Sequence, residues 1–207
     1  MRFPALPLLL VTAALALPAQ ENPGGNRFGI GLAVIQPTSE WGSYFDPGFQ
    51  AGIQVHFNRE SRFLSRLRID YLRADSSGSI QRGLTTAWNG STWVTVPNLV
   101  RSRMEAYTVA YEWMPHLEDH SRSGLFGILG VGGTLWNETR RGAEPGTGTD
   151  TDTEWSLTFS AGAGWRFNPH ATLELRYVHG DMSSFWGHRV DYGPTRALVS
   201  LGTSLRF

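Results

Sequence analysis

The chain has 207 residues with 18 basic side chains, all of them Arg, 18 acidic side chains and no Cys. The formal net charge of zero argues against a nucleic-acid-binding protein, which needs a basic face. The absence of Cys excludes disulfide scaffolds, Cys-ligated metals and thiol catalysis. Few charged residues (17%), 24 Gly and 12% aromatic residues are not the composition of a disordered chain.

Residues 1–19 have the pattern of a secretory signal peptide, with one early charge at Arg2 and an apolar run over 5–17. The run is too short to span a bilayer, which takes about 20 residues. It ends in Leu17-Pro18-Ala19, and cleavage after Ala16 is an alternative because Leu17 is not a small residue. The other interpretation is a buried N-terminal helix. We predict removal of residues 1–19 and a single folded domain over residues 20–207.

The remainder shows apolar residues at every second position, which predicts β-strands with two different faces. The clearest example is Phe49, Ala51, Ile53, Val55 and Phe57, which alternate with polar or small residues. We identify eight such segments, and no stretch has a convincing helical period. They lie at residues 27–34, 49–57, 66–71, 106–113, 125–135, 155–167, 172–177 and 196–207.

The links between these segments alternate between short and long. Three are short, at residues 58–62, 115–122 and 168–170, and four are longer, at 37–46, 76–99, 138–153 and 182–194. Short turns at one end and long loops at the other are typical of an up-and-down transmembrane barrel. We therefore predict an all-β fold, an eight-stranded antiparallel up-and-down transmembrane β-barrel. A soluble lipocalin-like barrel is the alternative, since alternation alone does not say which face is inside.

Three features favour an apolar outer face. The polar face is rich in Gly and small residues, which suit the narrow interior of an eight-stranded barrel. The chain ends in an alternating strand with Leu201, Leu205 and Phe207, as expected of a signal read by barrel assembly machinery. Aromatic residues near the strand ends predict two girdles at the water boundaries. The predicted girdle residues are Tyr71, Trp113, Trp136, Trp155, Trp165 and Phe167.

These stretches resemble the small eight-stranded outer-membrane barrels of the OmpA-, OmpX- and OmpW-like group. The resemblance covers residues 26–207, and its main segments are 28–35, 124–136, 160–175 and 198–207. It implies a protein of the bacterial outer membrane, in contact with outer-membrane lipids, lipopolysaccharide and the barrel assembly machinery. It does not extend to the peptidoglycan-binding domain of the large OmpA-type proteins.

The predicted inward face carries nine charged residues that must be paired if they are buried. Arg166 and Glu174 face each other across a short turn, so we expect them to pair. A charge network that fills the barrel is one interpretation, and a narrow Arg-lined path for anions is the other. The nine residues are Arg66, Arg68, Asp70, Glu112, Arg166, Glu174, Arg176, Arg196 and Arg206.

Other chemistry is weakly indicated. His179 and Asp181 begin a polar cluster that continues with Ser183, Ser184, His188 and Asp191. It lacks the His and Ser two apart that lipid A deacylases of this shape carry. Asp150, Asp152 and Glu154 could bind a divalent cation, but a solvated loop is the simpler interpretation. In the long link 76–99, Trp88 and Trp93 favour a hairpin above the membrane over a free binding loop.

We therefore expect no enzymatic activity, no cofactor and no nucleic-acid partner. The predicted role is structural or one of surface interaction, by a monomer with a plugged interior. The alternative is a narrow channel or transporter for small solutes, and a lipid-modifying enzyme is the weakest hypothesis.

Overall fold

Strands form where apolar residues alternate with polar or small ones. The computed structural model describes residues 27–39, 41–57, 63–88, 90–117, 123–142, 148–168, 170–180 and 196–207. The predicted signal peptide lies outside these ranges. Within them, no helix is long and apolar enough to cross a bilayer. The described strands are β1 Arg27–Thr38, β2 Gly48–Phe57, β3 Phe63–Asp75, β4 Ile80–Trp88, β5 Trp93–Pro115, β6 Gly124–Gly142, β7 Thr149–Asn168, β8 Ala171–His179 and β9 Ala197–Arg206.

Eight of these strands close into an antiparallel barrel, which confirms the predicted fold class. The order around the barrel is β3, β2, β1, β9, β8, β7, β6 and β5, and a β3–β5 pairing closes the ring. The remaining strand, β4, is not part of the closed ring. It pairs with the first part of β5 from Ile80↔Val100 to Trp88↔Trp93. The hairpin predicted for the link 76–99 is therefore present and lies on the long-loop side of the barrel.

The apolar face of the barrel is the outer one. Phe28, Ile53, Val109, Leu129 and Leu201 all lie on it and are at least half exposed. Between them, the alternate residues turn inward and are largely polar, charged or Gly. This is the reverse of a soluble barrel and is the arrangement that surrounding hydrocarbon requires. The lipocalin-like alternative is therefore wrong.

The inward face is layered along the barrel axis, as strand β3 illustrates. Its inward residues run from Leu64 through charged Arg66, Arg68 and Asp70 to Leu72. Leu64 belongs to a small apolar cluster on the short-turn side, with Met114, Phe126 and Ile128. Leu72 belongs to a larger apolar cluster on the long-loop side. The charged layer is thus enclosed between two apolar layers.

Strands β5, β6 and β7 are about twice as long as β8 and β9, at 23, 19 and 20 residues against 9 and 10. The β6–β7 ladder is continuous from Gly124↔Arg166 to Arg141↔Thr149. A transmembrane strand needs only about 9–11 residues. These three strands, with β4, therefore extend past the apolar band as a sheet on one side of the barrel. We call this sheet, residues 80–88, 93–105, 137–142 and 149–154, the outer extension.

Candidate functional site

The centre of the interior is organised around Arg66, which is fully buried. Its two terminal nitrogens donate to the carboxylate oxygens of Glu174 at 2.6 Å each. Its Nε donates to Glu112 at 2.5 Å. Glu174 is on β8, the strand directly opposite β3 in the barrel order. The two-pronged bond to Glu174, a geometry for which the planar guanidinium is suited, therefore spans the diameter of the barrel.

Two further arginines complete this central ion cluster. Arg68 donates to Asp70 at 2.8 Å, and its other terminal nitrogen lies 3.7 Å from Glu112 and 3.6 Å from Glu174. Arg176 lies 3.3 Å from Glu112. Three cations thus face three carboxylates, so the cluster is neutral although all six side chains are buried. Pairing of this kind is what makes buried charge tolerable.

The other three predicted interior arginines lie elsewhere. Arg196 is at the long-loop end, where it pairs with Glu154 at 2.7 Å and lies over the ring of Trp136 at 5.4 Å. Arg206 is buried at the short-turn end, where its backbone bonds to that of His170. Arg166 is also at the short-turn end, in register with Gly124 and Thr172. The predicted Arg166–Glu174 pair is wrong. Glu174 is in register with Gly164 instead, and its ion pairs are with Arg66, Arg68 and Arg176.

An apolar cap closes the long-loop mouth of the barrel. The link between β1 and β2 forms one turn of 3-10 helix, Trp41–Ser43, which places Trp41 inside the mouth with no exposed surface. The Trp41 ring packs against Phe45 and, edge to face, against Trp136 at 5.6 Å. We call these three residues, with Ile35, Leu72, Met104 and Leu198, the mouth cap.

The prediction that Trp136 belongs to the outer girdle is wrong, because its side chain points inward and is 2% exposed. Its indole nitrogen donates to Ser156 at 2.7 Å inside the barrel. The reason is parity along β6, where Leu129 and Leu135 face outward and even-numbered residues therefore face inward. A position near a strand end does not by itself place an aromatic side chain in the girdle.

The space between the mouth cap and the central ion cluster is small. A row of hydroxyls crosses it, with Thr134 in hydrogen-bond contact with Thr108 at 2.8 Å and Thr158 at 2.5 Å. The cavity beside this row has a volume of about 30 Å³, and one next to Arg68 and Glu174 has about 10 Å³. Volumes of this size hold one or two water molecules and no larger solute.

The remaining predicted outer-face residues do lie on the outer face. Trp113, Trp155 and Trp165 are 46%, 62% and 46% exposed, and Tyr71 and Phe167 are partly covered. Leu201 and Phe207 are also exposed, and Leu205 is half-buried. Above Tyr71 and Tyr107, the outward positions become polar at Arg73 and Glu105. The long-loop edge of the apolar band lies at this step.

Beyond this edge, most charges of the outer extension are paired. Arg103 donates to Asp75 at 2.9 Å, and Arg140 to Glu138 at 2.7 Å. Although partial burial opposes it, the hydrogen bond from Arg103 and the charge of Arg73 lower the pKa of the Asp75 carboxyl. The hydrogen bond to Glu138 raises the pKa of Arg140. These four residues form local, mutually neutralised pairs.

Arg101 and Arg141 form an exception. They are exposed and stand directly opposite each other on β5 and β6. Within the described ranges neither makes an ion pair. Like charges opposite each other on neighbouring strands repel, so this pair lowers the stability of the sheet.

The acidic residues predicted as a possible cation site have arginine neighbours. Arg140 lies 3.9 Å from Asp150 and 3.4 Å from Asp152, and Glu154 is bound by Arg196. No group of three or more potential ligands that could hold a metal ion occurs among the residues that the structure describes. The interpretation as a solvated acidic segment therefore fits these contacts better.

Comparison with known proteins assigns the chain to a protein family. Residues 5–207 match the family described as outer membrane protein beta-barrel domain. The chain belongs to that family. It is thus a protein of the outer membrane, as the resemblance implied, and its long-loop side is the outer one. No curated protein matches the chain.

Solved structures of outer-membrane barrels share the fold at low sequence identity. Ail of Yersinia pestis, in complex with the heparin analogue sucrose octasulfate, is 14% identical with a TM-score of 0.50, covering 88% of this chain and 97% of that one. A major outer membrane protein of Thermus thermophilus is 11% identical with a TM-score of 0.50, covering 89% and 100%. Neisserial surface protein A is 15% identical with a TM-score of 0.49, covering 90% and 100%.

Of the polar cluster that begins at His179, only His179 lies within the described residues of this outer-membrane barrel. Its ring stacks on Tyr177 with a centroid distance of 6.4 Å on the outer wall. Asp181, Ser183, Ser184, His188 and Asp191 lie outside them. The absence of enzymatic activity therefore stays a prediction.

Proposed function

We propose that this protein is a surface-interaction protein, in which a closed barrel anchors the outer extension. The observation that carries the proposal is the Arg66–Glu174 bond across the barrel diameter, within a neutral cluster of six buried charges. The mouth cap above it and the small cavities between them support a plugged interior. With the interior plugged, we assign the interaction to the outer surface, where the outer extension lies.

The outer extension offers one surface suited to a charged partner. Arg101 and Arg141 repel each other across the two strands. A ligand whose negative charge neutralises both side chains would remove this repulsion. Phosphate and sulfate groups match the guanidinium fork. We propose that this Arg pair binds an anionic polysaccharide. Ail, a barrel of similar fold, is known in complex with a sulfated heparin analogue.

Planar-bilayer conductance tests the plugged interior. We expect no steady single-channel steps from the folded, inserted protein, because the ion cluster and the mouth cap both occupy the cross-section. Insertion is verified separately by resistance of the barrel to protease. Steady steps whose size changes in Arg176→Ala would contradict the plug and support the channel alternative.

Heparin binding tests the surface. Replacing both Arg101 and Arg141 by Ala should weaken binding of soluble heparin about two- to thirtyfold, since each of the two exposed charge contacts contributes about 0.2–1 kcal/mol. The loss should shrink as salt rises, because exposed charges are screened. The measurement is titration of the detergent-folded protein in a surface plasmon resonance assay.

Arg103→Ala is the matched control. It removes one exposed Arg from the same strand, but that Arg is already neutralised by Asp75. We expect less than a twofold change. An equal loss of binding free energy per removed charge in the control and the double variant would show that net charge, and not the Arg101–Arg141 pair, governs binding.

A further inference from the structure

Two tyrosine rings are in contact on the outer wall, where the β3–β5 pairing closes the barrel. Tyr71 on β3 and Tyr107 on β5 are directly opposite each other, with their ring centroids 5.3 Å apart and an angle of 49° between the planes. The ring of Phe49 lies 5.9 Å from Tyr71 on its other side. Among the residues that the structure describes, no other two tyrosine rings are in contact. Neighbouring rings therefore hold this tyrosine pair together.

The pair is accessible from the cell exterior. Tyr107 is 50% exposed and Tyr71 is partly exposed. Both residues lie at the long-loop edge of the apolar band, and the next outward pair along these strands is the polar pair Arg73 and Glu105. A small solute in the aqueous layer outside the membrane therefore reaches the two phenols without crossing hydrocarbon.

A carboxylate is positioned to accept the phenol proton of Tyr71. The Tyr71 hydroxyl donates a hydrogen bond to Glu105 at 2.8 Å. A phenol that loses one electron also loses its proton, and a hydrogen-bonded carboxylate can take that proton as the electron leaves. One-electron oxidation is therefore favoured at Tyr71, and the radical formed there is in contact with the ring of Tyr107.

We infer that Tyr71 and Tyr107 form an oxidative modification site, at which a peroxidase and hydrogen peroxide join the two rings as dityrosine. The oxidant takes one electron from each phenol, and the protons go to Glu105 and to water. The two radicals form a carbon–carbon bond between ring positions next to the oxygens, and the hydrogen on each of these carbons moves to the oxygen of its ring. Two phenols and one hydrogen peroxide thus give one dityrosine and two water molecules.

The cross-link has a structural consequence at the seam between β3 and β5. It ties the two strands covalently and encloses residues 72–106, which include the β4–β5 hairpin. The oxidised protein should therefore resist unfolding by heat and urea better than the untreated protein. The inference uses neither the Arg101–Arg141 pair nor the central ion cluster, so it is independent of the proposed function.

Treatment of the full chain, folded in detergent, with a peroxidase and hydrogen peroxide tests this site. We expect dityrosine fluorescence in the monomer, because two rings held in contact have a far higher effective concentration than rings of separate molecules. Mass spectrometry of proteolytic fragments should show the Tyr71 and Tyr107 peptides joined, with the loss of two hydrogen atoms. Tyr71→Phe and Tyr107→Phe should each abolish this product, since a phenylalanine ring forms no phenoxyl radical. Folding of each variant is verified by its heat-dependent mobility on a gel.

Tyr111→Phe is the matched control. Tyr111 is on the same strand as Tyr107, and among the described residues its ring contacts Trp113 and no tyrosine. This variant should form the cross-link as the wild type does. Absence of the joined peptides from the wild type, or their formation in Tyr107→Phe, would overturn the site. Heparin binding should be unchanged in Tyr107→Phe, so failure here is distinguishable from failure of the polysaccharide surface.

Glu105→Gln tests the proton transfer separately. We expect the same joined peptides to form several-fold more slowly, which is less than the roughly 10²–10⁴-fold effect of a positioned base in an enzyme because water also accepts the proton. Acetate in the buffer should restore part of the rate, which a purely structural effect of the substitution would not allow. An unchanged rate in Glu105→Gln would overturn the role of this carboxylate.

Discussion

Replacing Glu174 by Ala is expected to lower the free energy of unfolding by about 3–5 kcal/mol, the usual cost of removing one partner from a buried ion pair. Glu174 accepts hydrogen bonds from both terminal nitrogens of Arg66 and lies within 4 Å of Arg68 and Arg176. Without it, the central ion cluster has three cations and two carboxylates, and the excess charge is buried. Urea unfolding of the barrel in lipid vesicles measures the loss.

Glu154→Ala is the comparison for this variant. Glu154 also binds an Arg, but its side chain is 44% exposed. The loss there should be below about 1 kcal/mol, because the Glu154 carboxylate is screened by water although its partner Arg196 is largely covered. If the two variants lost the same stability, the central ion cluster would not contribute through its burial. A conducting Glu174→Ala barrel would show in addition that this carboxylate blocks a path.

The second large effect is expected at the mouth cap. Trp41→Ala should lower the free energy of unfolding by about 3–5 kcal/mol, the range for truncation of a buried Trp. Trp41 has no exposed surface and contacts the rings of Phe45 and Trp136, so its removal leaves a cavity in the barrel mouth. Conductance should stay silent, because the central ion cluster beneath remains closed. Urea unfolding and bilayer recording of the same preparation give both values.

Trp93→Ala is the control for the loss of an indole, since Trp93 is 67% exposed on the outer extension. Its effect should stay within about 0.5 kcal/mol, as for other surface substitutions. A loss of stability in Trp41→Ala as small as that in Trp93→Ala would contradict the role of Trp41 as a packed part of the mouth cap.

The barrel could be predicted from sequence because period-two alternation is local information. Each strand shows this alternation in its own residues, for example from Phe49 to Phe57. The alternation of short and long links predicted the up-and-down topology. The side that faces lipid followed from Gly and small residues on the other face, since only these fit inside eight strands. Gly52 illustrates the crowding, because a Cβ there would meet Asp70.

The interior contacts could not be predicted in the same way. That Arg66 reaches Glu174 across the barrel depends on the closed ring, whereas the predicted Arg166–Glu174 pair used only a short turn. Trp41 gave no periodic signal, since it lies in a link, and only the closed barrel shows that this link folds into the mouth. The inward position of Phe126 and Ile128 could be predicted, because both are even-numbered on β6 whereas the outward-facing Leu129 is odd-numbered.

The uninterrupted β6–β7 ladder has a mechanical consequence for anything attached to the outer extension. The same hydrogen-bonded strands run from Gly124 near the short turns to Arg141 outside the band, with no change of register. A force that pulls one of these strands outward along its length loads many interstrand bonds in shear at once instead of breaking them one after another. The extension has no hinge in this ladder, so tension at its tip is carried directly into the wall of the barrel.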